Sequence, residues 1–130
     1  MFAQSIKLKS LDFQNFETHE LKNMGAMFQG CESLTSINLN SFDTSQVTSM
    51  TLLFESCYSL NSININHFVT DEVKDMSYMF YNCSHLIDLD LSNFKTNEVI
   101  NMQSLFSYCT NLVNLKQKKY KIYHICLPKA

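Results

Sequence analysis

The chain has no tryptophan and no arginine, and its 130 residues include one proline and two glycines. With glycine and proline this scarce, the turns are expected to be made by Asn, Ser, Asp and Thr, whose short polar side chains also favour turns. No apolar run approaches the ~20 residues that a membrane-spanning helix needs. The sequence therefore predicts polar, mostly non-glycine corners and no membrane span.

Positive charge is also scarce over most of the chain. Residues 1–115 contain 5 Lys against 12 Asp and Glu, a net charge of −7, whereas residues 116–130 contain 5 Lys and no acid, a net charge of +5. Phosphate backbones are bound by clustered Lys or Arg, and only the terminal segment has such a cluster. Because that segment has no element that would read bases, no nucleic-acid partner is expected.

What the sequence does contain is a repeat with a fixed period of 26 residues. The stretch 23–48 reads NMGAMFQGCESLTSINLNSFDTSQVT, and it returns at 49–74 and 75–100 without insertion or deletion. A period in this range is typical of solenoids, in which each unit buries its apolar side against the next. We number the units repeat 1 (1–22, partial), repeat 2 (23–48), repeat 3 (49–74), repeat 4 (75–100) and repeat 5 (101–115 onward), followed by a degenerate basic terminal segment, 116–130.

Each repeat combines two periodicities. The Leu-x-x-Leu-x-Leu stretch at 86–91 ends in an alternation of apolar and polar residues, as a short strand does. Val73, Met76, Phe80 and Cys83 follow a spacing of three, four and three, which is that of a helix face. The residues that precede the Met column are of types that cap helix N-termini: Asn23, Ser49, Asp75 and Asn101.

These periods predict an α/β repeat solenoid in which each unit is a strand, a corner and a short helix or helical turn. Gly30 and Asn82 stand where such a helix would end, and both residue types tolerate a left-handed backbone. Strands of successive repeats would pair in parallel, about 4.8 Å apart. The expected architecture is a coil with a parallel sheet on one side and short helices on the other.

The Met, Phe and Cys columns are interpreted as core. Four Cys one repeat apart lack the close pairs of a zinc site, and stacked inward thiols lie too far apart at Cβ for undistorted disulfides. The His residues fall in four different columns, so convergence on a metal or catalytic centre is not expected. We expect no catalytic residue, no metal and no cofactor. The residues concerned are Cys31, Cys57, Cys83 and Cys109, with a fifth thiol at Cys126, and His19, His67, His85 and His124.

One phrase carries a family resemblance. Residues 76–99 read MSYMFYNCSHLIDLDLSNFKTNEV and resemble the BspA-type leucine-rich repeat. More narrowly, they are similar to the repeat of about 26 residues found in mycoplasma lipoproteins, other bacterial surface proteins and some protists. The resemblance covers residues 1 to about 115. It implies a right-handed, leucine-rich-repeat-like coil with a parallel concave sheet and short helices on the convex side. It also implies a place at the cell surface or outside the cell, and adhesion to host or matrix proteins.

The outward-facing strand residues are the candidate interaction face, because solenoids of this kind present their sheet as an extended binding surface. The absence of Trp, Tyr and Arg there weighs against a tight protein hot spot, and oxygen-rich side chains suit a glycan or weakly bound calcium. The alternative is a solvated face with no specific ligand. The face consists of Ser36, Asn38, Asn40, Ser62, Asn64, Asn66, Asp88, Asp90 and Ser92, while Tyr58, Tyr78, Tyr81 and Tyr108 are expected to form a second patch on the convex side.

The sequence therefore leaves two hypotheses about function. The first is a non-enzymatic interaction and adhesion module of a surface protein, which binds a host or matrix protein or a glycan through the solenoid face. The second is an intracellular structural or scaffold repeat protein, or a fragment of a longer array. Five Cys without evident partners and no basic-then-apolar leader favour the cytoplasm as the alternative location. An uncapped first repeat also predicts end-to-end self-association.

The terminal segment keeps only part of the repeat pattern. Tyr120 stands in a Phe column and Ile125 in the Val column, but Ile122 stands where Thr is expected. One interpretation is a degenerate last repeat whose lysines protect an open strand edge. The other is unrelated sequence after a truncated array, and the first is favoured slightly.

Overall fold

The computed structural model describes residues 1–118, and each repeat contributes one short strand. The strands are short because only the alternating end of the Leu-x-x-Leu-x-Leu stretch is extended. Their bounds are β1 Ser10–Asp12, β2 Ser36–Asn38, β3 Ser62–Ile63, β4 Asp88–Leu91 and β5 Asn114–Gln117.

Parallel pairing is confirmed for β1 with β2, β3 with β4 and β4 with β5, and its register is one full repeat. Ser10 pairs with Ser36 and Leu89 pairs with Leu115, so every strand residue meets its own column in the neighbouring strand. The same register appears on the far side of each repeat, where bridges connect the column that begins at Asn23. A stack of parallel strands that repeats by translation is therefore the architecture of the described chain.

The sheet is divided into two parts, β1-β2 and β3-β4-β5. At most junctions an amide just before the strand donates to the preceding repeat, as Ile87 does to the Asn61 carbonyl at 2.9 Å. Before β3, the amide and hydroxyl of Ser59 instead donate to the Glu32 carbonyl, at 3.3 and 2.7 Å. Repeats 2 and 3 are thus joined at this corner, whereas β2 and β3 do not pair.

The predicted short helices are wrong: residues 1–118 contain no helix. The segment that begins at Met24 consists of successive turns, such as the one closed by the Met27 amide on the Met24 carbonyl at 3.2 Å. Alternate amides point to the next repeat, where Ala26 donates to Thr51 at 2.8 Å. An α-helix would use each amide within its own segment, whereas stacking at one-repeat spacing gives these amides partners in the neighbour.

Left-handed residues make this turn segment possible. The prediction for Gly30 and Asn82 is confirmed, since their φ angles are 69° and 61°. Most of these left-handed positions are occupied by residues other than glycine. A left-handed non-glycine residue is uncommon, and it persists where surrounding bonds fix the backbone. The left-handed residues fall in two columns, Gln4, Gly30, Ser56, Asn82 and Tyr108 in one and Ala26, Leu52, Tyr78 and Ser104 in the other.

The predicted capping residues have a related role in these turns. The side-chain oxygens of Asn23 and Asp75 each accept a hydrogen bond from the backbone amide two residues later, at 2.7 and 2.8 Å. Short polar side chains favour such local bonds to the backbone. These side chains therefore bond the nearby backbone as a cap does, but the helices that they were predicted to cap are absent from residues 1–118.

The core is a set of columns in which each side chain packs against its equivalent. The rings of Phe28, Phe54, Phe80 and Phe106 stack at centroid distances of 5.6, 5.5 and 5.8 Å, with nearly parallel planes. All four rings are fully buried, and the Met, Cys and Leu columns pack beside them. A unit this small cannot bury its apolar side alone, so the stack is the core.

The Thr column contributes a polar clamp between repeats. The buried Thr44 hydroxyl donates to the Val69 carbonyl at 2.9 Å and accepts the Val69 amide at 2.8 Å. Thr18 and Thr70 make the same pair of bonds to the next repeat. One hydroxyl thus satisfies both backbone groups of a residue in the neighbouring repeat, which explains why Thr recurs there.

Replacing Phe80 by Ala should lower the free energy of unfolding by about 3–5 kcal/mol, because it empties a filled aromatic site in the middle of the stack. Chemical denaturation monitored by circular dichroism measures the loss. Ile100→Ala is the control, because Ile100 is exposed and such changes stay within about 0.5 kcal/mol. Equal losses for both variants would contradict the stacked core.

Candidate functional site

The nine predicted face residues lie on β2, β3 and β4 or directly after these strands. Six of them are exposed, and the other three, Asn38, Asp90 and Ser92, are half-buried. They occupy three columns, so each type of position recurs one repeat apart along the stack. The sequence therefore located a polar surface on the strand side of the described chain.

A shallow depression of about 410 Å³ lies across β3, β4 and β5. It brings together four of the nine predicted residues and leaves the five others outside its lining. It also includes Asn114 and Lys116 of repeat 5, which the sequence pattern places in the same outward-facing columns. The lining residues are Ser62, Ile63, Asn64, Asp88, Leu89, Asp90, Asn114 and Lys116.

Part of the predicted face has a structural role that the sequence interpretation missed. The Asn38 side-chain oxygen accepts the Asn40 amide at 3.0 Å, and the Asp90 carboxylate accepts the Ser92 amide at 2.9 Å. Asp12 makes the equivalent bond in repeat 1. A sequence signal existed, because Asn or Asp two residues before a polar residue is typical of such turns. Asn64, in the same column, has no side-chain hydrogen bond within the described residues.

The depression mixes donors, acceptors and charges of both signs. The Asn114 amide group donates to the Asp88 carboxylate, which links repeats 4 and 5. Bonds from the Ser92 hydroxyl and amide lower the pKa of Asp90, and the Lys116 ammonium adds to this effect. Asp90 is therefore ionised at neutral pH. Such a surface can offer hydrogen bonds to a polar ligand and neutralise single charges of either sign.

The four described thiols form no disulfide and are buried, and each makes a hydrogen bond to the backbone. Each donates to a Phe carbonyl of the preceding repeat; Cys57 reaches Phe28 at 3.2 Å and Cys109 reaches Phe80 at 2.9 Å. Burial raises the pKa of Cys57 to about 12 and that of Cys109 to about 11. The interpretation of this column as unpaired core thiols is confirmed, whereas Cys126 lies outside the described residues.

The described histidines do not converge. His67 bonds through Nε2 with the Leu39 carbonyl at 3.0 Å, so it links two repeats, and His85 lies beside Ser84 on another part of the surface. His19 borders the first repeat, and His124 lies outside the described residues. Within residues 1–118, no cluster of three or more His, Cys, Asp or Glu is arranged to hold a metal ion.

Three of the four tyrosines predicted for the second patch form a row of rings on the turn segments. Tyr81 contacts Tyr78 and Tyr108 edge to face, with centroid distances of 5.5 and 5.3 Å. Partial burial raises the pKa of Tyr81, and the neighbouring Tyr108 and the Glu55 carboxylate raise it further. The rings thus form one surface feature across repeats 4 and 5.

The repeat has a match among known families. Residues 1–120 match the family described as "Mycoplasma protein of unknown function, DUF285". The chain belongs to this family. Comparison with curated proteins and with solved structures gave no match. The part of the resemblance that pointed to mycoplasma repeats is therefore confirmed for this DUF285 chain. No helix of the described chain has the length and hydropathy that crossing a membrane requires.

Asp90→Ala should destabilise the protein by about 1 kcal/mol, because the Ser92 amide loses its carboxylate acceptor. Asn64→Ala, in the same column, should change stability by no more than about 0.5 kcal/mol, because its side chain makes no internal bond. Urea denaturation of both variants measures the difference. If the two losses are equal, the distinction between capping and free members of the face is wrong.

The buried thiols should be unreactive in the native protein. In a Cys126→Ser variant, 5,5′-dithiobis(2-nitrobenzoate) should release almost no thiolate signal before unfolding and four equivalents in concentrated guanidinium. The physical reason is that the thiolate is the reactive form and burial suppresses it. Rapid native labelling at four equivalents would contradict the buried column, and the unsubstituted chain serves as the reference for Cys126.

Proposed function

We propose that this chain is a non-enzymatic interaction module that binds a protein or glycan through the strand side of its repeats. The observation that supports the proposal is the depression across β3, β4 and β5. There, side chains from three repeats meet at one surface, and those of Ser62 and Asn64 are exposed. Their donors and acceptors are available to a ligand, because the described residues provide them with no internal partner.

The chemistry of the depression favours an extended polar ligand. Its lining has amides, a hydroxyl, two carboxylates and one ammonium, but no aromatic ring. Protein hot spots are rich in Trp, Tyr and Arg, and this lining has none of them. We therefore expect each contact with a ligand to be weak, and the affinity to come from several such contacts along the repeats. A host or matrix protein, or its glycans, would supply the matching hydroxyl and amide groups.

The finer features of the proposal come from the resemblance to BspA-type leucine-rich repeats. They are a right-handed winding, a concave sheet face, a location at the cell surface or outside the cell, and a role in adhesion. Membership of a mycoplasma repeat family supports this interpretation, because the resemblance was drawn to mycoplasma surface proteins. The absence of enzymatic activity belongs to the same proposal, since the Thr, Cys and Phe columns are each engaged in packing or bonding.

The intracellular scaffold is the weaker candidate. It was motivated by cysteines without evident partners, which suit a reducing compartment. The four thiols of the stack have raised pKa values and bond to Phe carbonyls. Thiols held in this way resist oxidation in either compartment. These four thiols therefore do not discriminate between the two compartments.

The test is binding of the purified chain to host-type cells and to a panel of matrix proteins and glycans. A Ser62→Lys/Asn64→Lys variant places two bulky charges in the depression without removing an internal bond. It should bind at least about tenfold more weakly, equivalent to about 1.4 kcal/mol. The matched control is Gln46→Lys/Gln103→Lys, which adds the same charge at exposed positions outside the depression and should bind normally.

Each other outcome counts against a specific part of the proposal. Unchanged binding by the Ser62/Asn64 variant would place the site elsewhere, with the tyrosine row as the next surface to alter. Equal loss in the control would indicate a response to charge alone. Failure of the unaltered chain to bind any cell, protein or glycan would overturn the interaction module.

A further inference from the structure

A carboxylate and an aromatic ring stand side by side on the turn segments of repeats 3 and 4. Glu55 and Tyr81 occupy the same column, one period apart. On one side of Glu55, the Phe54 amide donates to the Met79 carbonyl at 2.8 Å. On the other side, the Ser56 amide donates to the Tyr81 carbonyl, also at 2.8 Å. The backbone therefore holds the two residues next to each other, in the interior of the described stack.

The Glu55 carboxylate has no cationic partner within residues 1–118. Its side-chain hydrogen bond comes from the neighbouring Ser56 hydroxyl, at 2.7 Å. The one ion pair of the described residues joins Lys95 to Asp71, elsewhere on the surface. Glu55 is half-buried, so water screens its charge less than that of a fully exposed carboxylate. A cation from another molecule would therefore find an unpaired carboxylate here.

The turn segments around Glu55 carry negative charge and no lysine. The turn segments of repeats 2 to 5 contain three acidic residues and no Lys, and the chain as a whole contains no Arg. The potential on this side therefore attracts cations, and no copy of this chain can supply a guanidinium group. The segments are 23–34, 49–60, 75–86 and 101–112, and their acidic residues are Glu32, Glu55 and Asp75.

The Tyr81 ring is fixed at the centre of the tyrosine row. Tyr78 and Tyr108 contact it edge to face from its two sides. Tyr78 has a left-handed backbone, with φ 57°, which is uncommon for an aromatic residue. Its amide donates to the Gln103 carbonyl at 2.8 Å, and this bond helps to hold that conformation. Because the Glu55 charge also raises the pKa of Tyr81, the ring and the carboxylate are close enough to contact one ligand.

An arginine side chain matches this combination of a ring and a carboxylate. Its guanidinium group is planar, stacks on aromatic faces and bonds both oxygens of a carboxylate at once. A lysine ammonium is a compact, strongly hydrated charge that lacks this fork. A quaternary ammonium is held in a cage of rings, whereas the rings of the tyrosine row pack against one another. The geometry therefore favours a guanidinium group over other cations.

We propose that Glu55 and Tyr81 bind an arginine side chain in a basic segment of a partner protein. The guanidinium group stacks on the Tyr81 ring and donates hydrogen bonds to the Glu55 carboxylate, while Tyr78 and Tyr108 keep the ring in position. Neither binding residue lines the depression across β3, β4 and β5, so the inference does not rest on the proposed function. Because salt screens charges at half-exposed sites, the contact weakens as salt is raised.

Titration of the 130-residue chain with a blocked peptide of alternating Gly and Arg tests the site. The reference probe is the same peptide with Lys in place of Arg, which has equal charge. Nuclear magnetic resonance of the tyrosine rings gives both the contact and the dissociation constant. The Arg peptide should shift the Tyr81 ring signals and bind at least about threefold more tightly than the Lys peptide, because a guanidinium group stacks better on the ring.

Two matched substitutions test the carboxylate. Glu55→Gln should weaken binding of the Arg peptide by at least about fivefold, because the amide removes the charge but keeps an oxygen for the Ser56 hydroxyl. Glu32→Gln makes the same charge change at an exposed position of repeat 2. This control should bind the peptide as the unaltered chain does.

The ring is tested in the same way. Tyr81→Leu should weaken binding of the Arg peptide by about threefold, whereas Tyr81→Phe, which keeps the ring, should retain most of the binding. Tyr58→Leu is the control, because Tyr58 lies on the turn segment of repeat 3 but outside the row. Circular dichroism and thermal melts check that each variant is folded.

The remaining outcomes count against the proposal. Equal binding of the Arg and Lys peptides would mean that net charge alone attracts them, and binding of neither would remove the site. Equal losses in Glu55→Gln and Glu32→Gln, or in Tyr81→Leu and Tyr58→Leu, would overturn the assignment to these residues. Phosphatidylcholine vesicles that shift the Tyr81 signals more than the Arg peptide does would assign the site to a quaternary ammonium instead.

Discussion

The structure depends on one constraint, which is that every repeat must meet its neighbour in a register of one full period. The backbone bonds between repeats enforce it from two sides. In the turn segment, amides of one repeat donate to the next, as Met24 does to Ser49, whereas on the strand side Thr35 donates back to Lys9. Because the donors run in opposite directions, each repeat is held to its neighbours by complementary bonds. An inserted residue would disrupt both ladders at once.

Side chains that look chemically active in the sequence serve this register. The Thr44 hydroxyl satisfies both backbone groups of Val69, and the Cys57 thiol bonds the Phe28 carbonyl. Each of these bonds crosses from one repeat to the next, and each lies in a place that water does not reach. A buried polar group needs such a partner, so the recurrence of Thr and Cys follows from the stack and requires no catalytic role.

The sequence was a good guide to burial and a poor one to backbone conformation. Columns one period apart predicted the stacked phenylalanines and the strands correctly, because a residue in a stack is buried whenever its equivalents are. The spacing of three, four and three from Val73 to Cys83 was taken for a helix and was wrong. A chain of turns with left-handed residues at positions such as Leu52 and Tyr78 buries side chains at the same spacing. Side-chain periodicity therefore does not distinguish such a chain of turns from a helix.

The candidate face was predictable only in part for a related reason. Alternation in the strand located the outward columns, but it did not separate capping members such as Asp90 from free ones such as Asn64. That difference depends on local backbone geometry in each repeat. The division of the sheet between β2 and β3 was also beyond the pattern, because the sequence columns run through that junction without change. The degenerate terminal segment, 116–130, falls largely on residues outside those described.

The divided sheet has a mechanical consequence. Between repeats 2 and 3, the core columns and the turn-segment ladder continue, but the strand ladder does not. Tension applied along the stack would therefore meet fewer backbone hydrogen bonds on the strand side of this junction than on the turn-segment side. We expect the two halves to separate first at their strands. The row of bridges through Ser49 would act as the hinge. Such an opening would change the spacing between Asn38 and Asn64, so a pull on the chain would reach its outward polar surface directly.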